Sequence, residues 1–202
     1  MNKFFYIFAI LLLTAGVNAE ELSDKVLALN SKTQNFTGTF IETKSMPKLK
    51  KETHKSGNIY FLSPNDLLMD YTDPKTDWSL LGENLFKVQR GSHLQKFNLK
   101  KEDDRMSVFH KTLIYSMRGD VESVAKVNDA TIKAENTGVE ICFHLKKNKP
   151  QKIGVTEMLL VYDAPTGLIK TLKLIEANGI STTYTTQNMQ SNTTIDKAVF
   201  SK

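Results

Sequence analysis

From Asn35 to Asn188 the chain repeats one pattern: a short apolar or alternating run, a turn signal, then another run. Gly82-Glu83-Asn84, Arg90-Gly91-Ser92, Asn136-Thr137-Gly138 and Pro165-Thr166-Gly167 are such signals, and Asn178-Gly179 is the strongest hairpin dipeptide among them. Strands do not alternate with helices, which argues against a parallel sheet. Two segments break the strand series. Glu20–Leu29 places Leu22, Val26 and Leu29 on one helical face, and Ser107–Arg118 reads as a helix stopped by Gly119. Met46–Lys55 reads as a lysine-rich connection and Thr194–Phe200 as a last short strand. The count is about ten to eleven strands, and a sheet of that many curls or closes. The expected fold is mainly β (α+β): a single curved, incompletely closed antiparallel β-barrel with covering helices.

The first residues form a different kind of segment. Lys3 precedes an uncharged apolar run from Phe4 to Leu13, and Val17-Asn18-Ala19 offers small residues for cleavage. This predicts a secretory signal peptide over 1–19 and a single domain over 20–202, exported to the periplasm and cleaved near Ala19. The apolar run is short of the roughly 20 residues that a membrane-spanning helix needs. No cysteine sits at the cleavage point, so no lipid anchor is expected there. Losing Lys3 lowers the formal charge of +5 by one. A charge that modest favours anionic surfaces slightly and argues against nucleic acid as a partner. Cys142 is the single cysteine, so no intrachain disulfide forms, and a buried thiol is expected.

A search for chemistry points away from an enzyme. There is no Gly-x-Ser-x-Gly turn, and Ser92 and His93 are neighbours that a strand directs to opposite faces. Cys142 and His144 share a strand face, but two ligands do not make a zinc site. Glu102-Asp103-Asp104 lacks the spacing of a calcium loop and reads as a solvated turn. No catalytic residue, cofactor or metal is expected. The lysines gather in two clusters, Lys44–Lys55 and Lys146–Lys152. Such runs are ordinarily solvated loops, and their second reading is contact with anionic lipid head groups.

Gly57 to Pro74 is the most informative stretch. Asn58–Leu62 and Leu67–Tyr71 are apolar or aromatic, separated by Ser63-Pro64 and closed by Asp73-Pro74. The frame of Gly57, Pro64, Tyr71 and Pro74 resembles the periplasmic lipoprotein carrier (LolA-like) family. Gly82-Glu83-Asn84-Leu85-Phe86 fits the hairpin that follows in that family. The tail from Leu159 resembles its C-terminal meander, including Asn178-Gly179 and the ending Asn192, Ile195, Phe200.

The resemblance implies a half-barrel whose helices act as a lid over a hydrophobic cavity for acyl chains. Its cargo would be acylated lipoproteins, received from an inner-membrane ABC lipoprotein-release complex and passed to an outer-membrane acceptor by a monomeric carrier. Alternation and family register together give the candidate cavity residues Ile59, Phe61, Leu67, Met69 and Tyr71. Ser63 is the lid-contact position, where the family carries an arginine that hydrogen-bonds to the helices. A serine hydroxyl lacks that fork of donors, so the lid must close by other means. The chain also ends two residues after Phe200, where many carriers continue. A different reading of the same half-barrel is a lipid- or lipoprotein-sensing envelope adaptor.

Overall fold

The computed structural model describes residues 18–99, 105–149 and 152–202. The expected leader up to Val17 and the acidic run at 102–104 lie outside them. Among the described residues, eleven strands form one antiparallel sheet in the order β6-β5-β4-β3-β2-β1-β11-β10-β9-β8-β7. One meander comprises β1 (Asn35–Met46), β2 (Lys51–Leu62), β3 (Asp66–Asp73), β4 (Trp78–Leu81), β5 (Leu85–Arg90) and β6 (His93–Asn98). The other comprises β7 (Ala130–Asn136), β8 (Glu140–Lys147), β9 (Val155–Asp163), β10 (Ile169–Glu176) and β11 (Ser181–Ser191). The meanders join where β1 pairs with β11, and β6 and β7 are left as the two edges. The expected architecture, a curved sheet that does not close, is the observed one.

That topology dictates the helices. The chain leaves the sheet at one edge and re-enters at the other, so the connection must cross the concave face. It does so as α2 (Arg105–Met117) and α3 (Val121–Asn128), with α1 (Ala19–Asn30) beside them. Leu22 and Val26 of α1, Leu113, Ile114 and Met117 of α2, and Val121 and Val124 of α3 join the strand residues in one hydrophobic core. Gly167, at φ +71, lets α1 dock: a Cβ there would lie 2.7 Å from the Leu29 Cβ. The Asn30 amide donates to the Gly167 carbonyl at 3.0 Å and fixes the same contact.

Four local expectations need correction. The stretch after Gly119 holds a further helix, α3, which Asp120 caps by accepting from the Ser123 N–H at 3.0 Å. Met46–Lys55 is not a loop. β1 runs through Met46 and β2 starts at Lys51, and the turn is only a 3-10 segment, Pro47–Leu49, closed by Lys50 at φ 48. Thr43 and Thr53 suit the flanking strands, and Lys48, Lys50 and Lys51 extend into water. The expected strand at Thr194–Phe200 is instead a 3-10 turn, Lys197–Phe200. The chain leaves the sheet at Asn192, φ 55, whose side chain bonds the backbone at Gln34 and Lys32. This turn packs on the outer face of β3, where Leu68 is fully buried, and Lys202 pairs with Asp70 at 2.9 Å. Finally, Cys142 is half-buried, because it shares the outer face with exposed His144 while Ile141 and Phe143 point inward.

Candidate functional site

Period-two alternation sends Ile59 and Phe61 of β2 and Leu67, Met69 and Tyr71 of β3 to the concave face. All five are buried in the core. Gly57 brings the two strands together: a Cβ there would collide with the Asp70 carbonyl and lie 2.7 Å from the Tyr71 Cα. Phe61 stacks on Phe36 with centroids 5.0 Å apart, and Tyr71 meets Phe40 edge-on at 5.0 Å. α2 lies on this surface. Leu113 and Met117 enclose, with Phe40, Ile59 and Met69, a void of only about 10 Å³. The five residues are therefore brought together, but as packed interior.

At the far end of that interior stands a polar plug that sequence reading missed. The Tyr71 hydroxyl donates to Glu42 Oε2. The Arg90 guanidinium lies 5.0 Å and the Lys55 ammonium 5.5 Å from the centre of the Tyr71 ring. Lys55 Nζ donates to Asp77 Oδ2 at 2.9 Å, and the Gly91 N–H donates to Asp77 Oδ1 at 2.9 Å. Burial works against ionisation of Asp77, yet Lys55, the Gly91 N–H and Arg90 together hold its carboxyl below the usual carboxylate range. Burial, then Tyr184 and Glu42, push the Tyr71 hydroxyl far up, so it remains a neutral donor. The members come from five separate segments, and no local motif announces them.

The open space lies elsewhere. A cavity of about 600 Å³ opens between α2 and the inner face of β8–β10. Val108, Phe109 and Thr112 of α2 form one wall, and Val155, Met158 and Leu174 form the other. Met158 and Leu174 are cross-strand partners. Arg105, Lys147 and Lys152 stand around it. The readable signal was the i, i+4 pair Val108 and Thr112 facing the inward positions of β9 and β10. The walls are apolar, and the size falls within the roughly 300–1,000 Å³ of small-molecule sites.

α2 is held at its middle and near its C-terminal end. His110 Nε2 donates to the Gly82 carbonyl at 2.7 Å, and the Tyr162 hydroxyl donates to the Ser116 carbonyl at 2.9 Å. Burial keeps His110 below its ordinary pKa, against the pull of the Gly82 carbonyl, and Lys111 adds to the lowering. Ser63 sits exposed in the β2–β3 turn, with its N–H donating to the Gln34 carbonyl at 2.9 Å. Beside His110 is a smaller polar recess of about 230 Å³ that includes Asn65, Glu83 and Lys111. Among the described residues, no three or more His, Cys, Asp or Glu side chains converge as metal ligands would.

The sequence profile of the family described as outer membrane lipoprotein carrier protein LolA matches residues 31–202. No curated protein matches the chain. Among solved structures, that of MucB gives a TM-score of 0.53 at 10% identity, over 90% of this chain and 62% of that one. This chain thus spans less than two thirds of MucB. The LolA superfamily protein NE2245 from Nitrosomonas europaea gives 0.45 at 10% identity, covering 92% and 98% of the two chains. Mycobacterium tuberculosis lipoprotein LppX gives 0.44 at 7% identity, covering 89% and 100%. The MucB likeness is one of fold alone.

Proposed function

This chain belongs to the LolA family of outer membrane lipoprotein carrier proteins, and from that premise we propose that it is a soluble periplasmic carrier of acylated lipoproteins. It takes their acyl chains into the cavity beneath α2, receives them from an inner-membrane release complex and yields them to an outer-membrane acceptor. The observation that carries this reading is the apolar-walled space of about 600 Å³ between α2 and β8–β10. Each methylene moved from water into such a site gains about 0.8 kcal/mol, so a long chain requires a carrier to cross water. A methylene is about as large as a water molecule's share of liquid, about 30 Å³, so the cavity takes roughly 20 such groups.

Release needs the same surface to be satisfied without cargo. Leu113 and Met117 already cover Ile59 and Met69, so displacing α2 would exchange protein contact for lipid contact across the five inward residues of β2 and β3. His110 and Tyr162 supply the lid's hydrogen bonds in place of the arginine that Ser63 replaces.

The test is release of acylated lipoprotein from inner-membrane vesicles, with the chain purified from periplasm and examined for bound lipoprotein. The expected outcome is cargo in both. A chain that carries none and releases none is not a carrier. If it instead forms a stable complex with a signalling protein in the absence of cargo, the sensing role takes its place.

A further inference from the structure

Two exposed apolar side chains project from lysine-rich turns. Leu49 is 71% exposed and sits among Lys48, Lys50 and Lys51 at the tip of the β1–β2 hairpin. Ile153 is 62% exposed and follows Lys152, in the turn that leads into β9.

The strand register puts both turns at one end of the sheet. Ser45 pairs with Ser181, Ser181 with Ile175, and Ile175 with Glu157. The Ala177 N–H reaches the Gly154 carbonyl at 3.0 Å. The two tips are three strand steps apart, about 15 Å at the usual inter-strand spacing. Lys147, Lys152 and Ile153 also line the cavity, so the cavity reaches this same end.

The charge of this end is one-sided. Lys44, Lys48, Lys50, Lys51, Lys146, Lys147, Lys149 and Lys152 stand at this end against the acidic groups Glu52, Asp129, Glu157 and Glu176. Each of those four is already engaged: Glu52 with His54, Asp129 with Asn148, Glu157 with Lys146, and Glu176 with Asn178.

We propose that this end is a docking surface for an anionic membrane. The lysines meet lipid phosphates, Leu49 and Ile153 enter the head-group layer, and the cavity mouth is held against the bilayer. The docking stands on exposure and charge; its purpose, lipid transfer at the surface, rests on the carrier reading above. A Lys or Arg near an anionic leaflet adds roughly fivefold to binding, and an apolar side chain entering the interface adds at least as much. The combination suits a reversible visit rather than an anchor.

Co-sedimentation of the full mature chain with vesicles tests this. Phosphatidylcholine alone is compared with phosphatidylcholine containing phosphatidylglycerol. The expected result is binding to the anionic vesicles only, lost near 1 M salt, where the screening length shrinks to about 3 Å. K48E/K50E/K51E lowers binding at least about 100-fold, and L49S/I153S at least about tenfold, with thermal midpoints unchanged because these side chains are largely exposed. Equal binding to both vesicle types, or variants that bind like the parent, overturns the proposal. So does binding to soluble polyglutamate with the same lysine dependence but not to vesicles, which assigns the surface to an acidic protein. Uptake of a soluble fluorescent fatty acid, followed in parallel, separates the two ideas: uptake without docking removes only the surface, and docking without uptake removes only the carrier.

Discussion

Two parts of one concave face differ in how they are finished. Under β1–β5 the inward residues are mostly rings. Phe36 and Phe61 stack, Phe40 and Tyr71 meet edge-on, and Phe86 sits 6.0 Å from Phe109 of α2. Rings fill width, and α2 covers what they leave, so the void among Phe40, Ile59 and Met69 is only about 10 Å³. The far end is then stopped by Glu42, Lys55, Asp77 and Arg90 around the Tyr71 ring. Under β8–β10 the wall is built from Val155, Met158 and Leu174, and α2 presents Val108, Phe109 and Thr112. The strand side chains here are narrower, and among the described residues no ionic plug closes the end. The same alternation therefore yields core on one side and cavity on the other. An inward-facing apolar residue is not by itself a binding residue; the volume its neighbours leave empty decides that.

The contrast breaks most visibly under truncation. Phe61→Ala removes a fully buried, stacked ring and should cost about 3–5 kcal/mol in denaturant unfolding. Phe109→Ala, on a half-buried side chain already bordering the cavity, should cost about 1 kcal/mol. Equal losses would mean that the two sides are packed alike.

A smaller effect belongs to the plug. Tyr71→Phe leaves the Glu42 carboxylate without its donor and should cost about 1–3 kcal/mol. Asp77 adds an acid limb. Its folded carboxyl is held below its ordinary value of 3.8, so its contribution is complete above that value. Below it the unfolded chain takes up the proton first, and stability falls as pH falls through the folded pKa. Asp77→Asn should flatten that limb in urea titrations followed across the acid range. An unchanged limb would show that the plug is idle.

How far all this could be read in advance follows from the range of each signal. Alternation is local, and it places Ile59, Phe61, Leu67, Met69 and Tyr71 on one face, which is the buried concave one, and sets the order of the hairpins. Which inward residues border empty space is not local, because it depends on where α2 lies after crossing between sheet edges. Val108 and Met158 are fifty positions apart and meet only through that crossing. The plug has the same character: Glu42, Lys55, Asp77 and Arg90 are isolated charges until five segments converge. α3 did have a local signal, Asp120 ahead of Val121, Val124 and Ala125, which was overshadowed by the stop at Gly119. The end of the chain misled because Thr194–Phe200 has strand-like residues, yet Asp196 caps a 3-10 turn by accepting from the Ala198 N–H.

The latch on α2 gives a gentler pH effect. His110 is buried and held below its ordinary pKa of 6.5, with Lys111 and Glu83 beside the same recess. As pH falls below that value the unfolded chain is protonated first, so stability declines from there down through the folded pKa. His110→Gln keeps an N–H donor for the Gly82 carbonyl and removes the slope. The measurement is the urea midpoint at about pH 8 against about pH 5 for the two proteins. A parent chain whose midpoint does not move would show that His110 does not titrate differently on folding.

The smallest expected change in stability carries the most information about function. Val155 begins β9 on the cavity wall and is only half-buried, so Val155→Trp has space to enter and should shift stability by no more than about 0.5 kcal/mol. An indole inside about 600 Å³ occupies volume that an acyl chain would need. Fatty-acid uptake and lipoprotein release should both fall, while the thermal midpoint and the Phe61 truncation cost stay as they were. The matched control on the filled side is Met69→Leu, a volume-conserving exchange that should leave uptake unchanged. If Val155→Trp binds lipid normally, the open side is not where cargo goes. The five inward residues of β2 and β3 would then have to receive it by full displacement of α2.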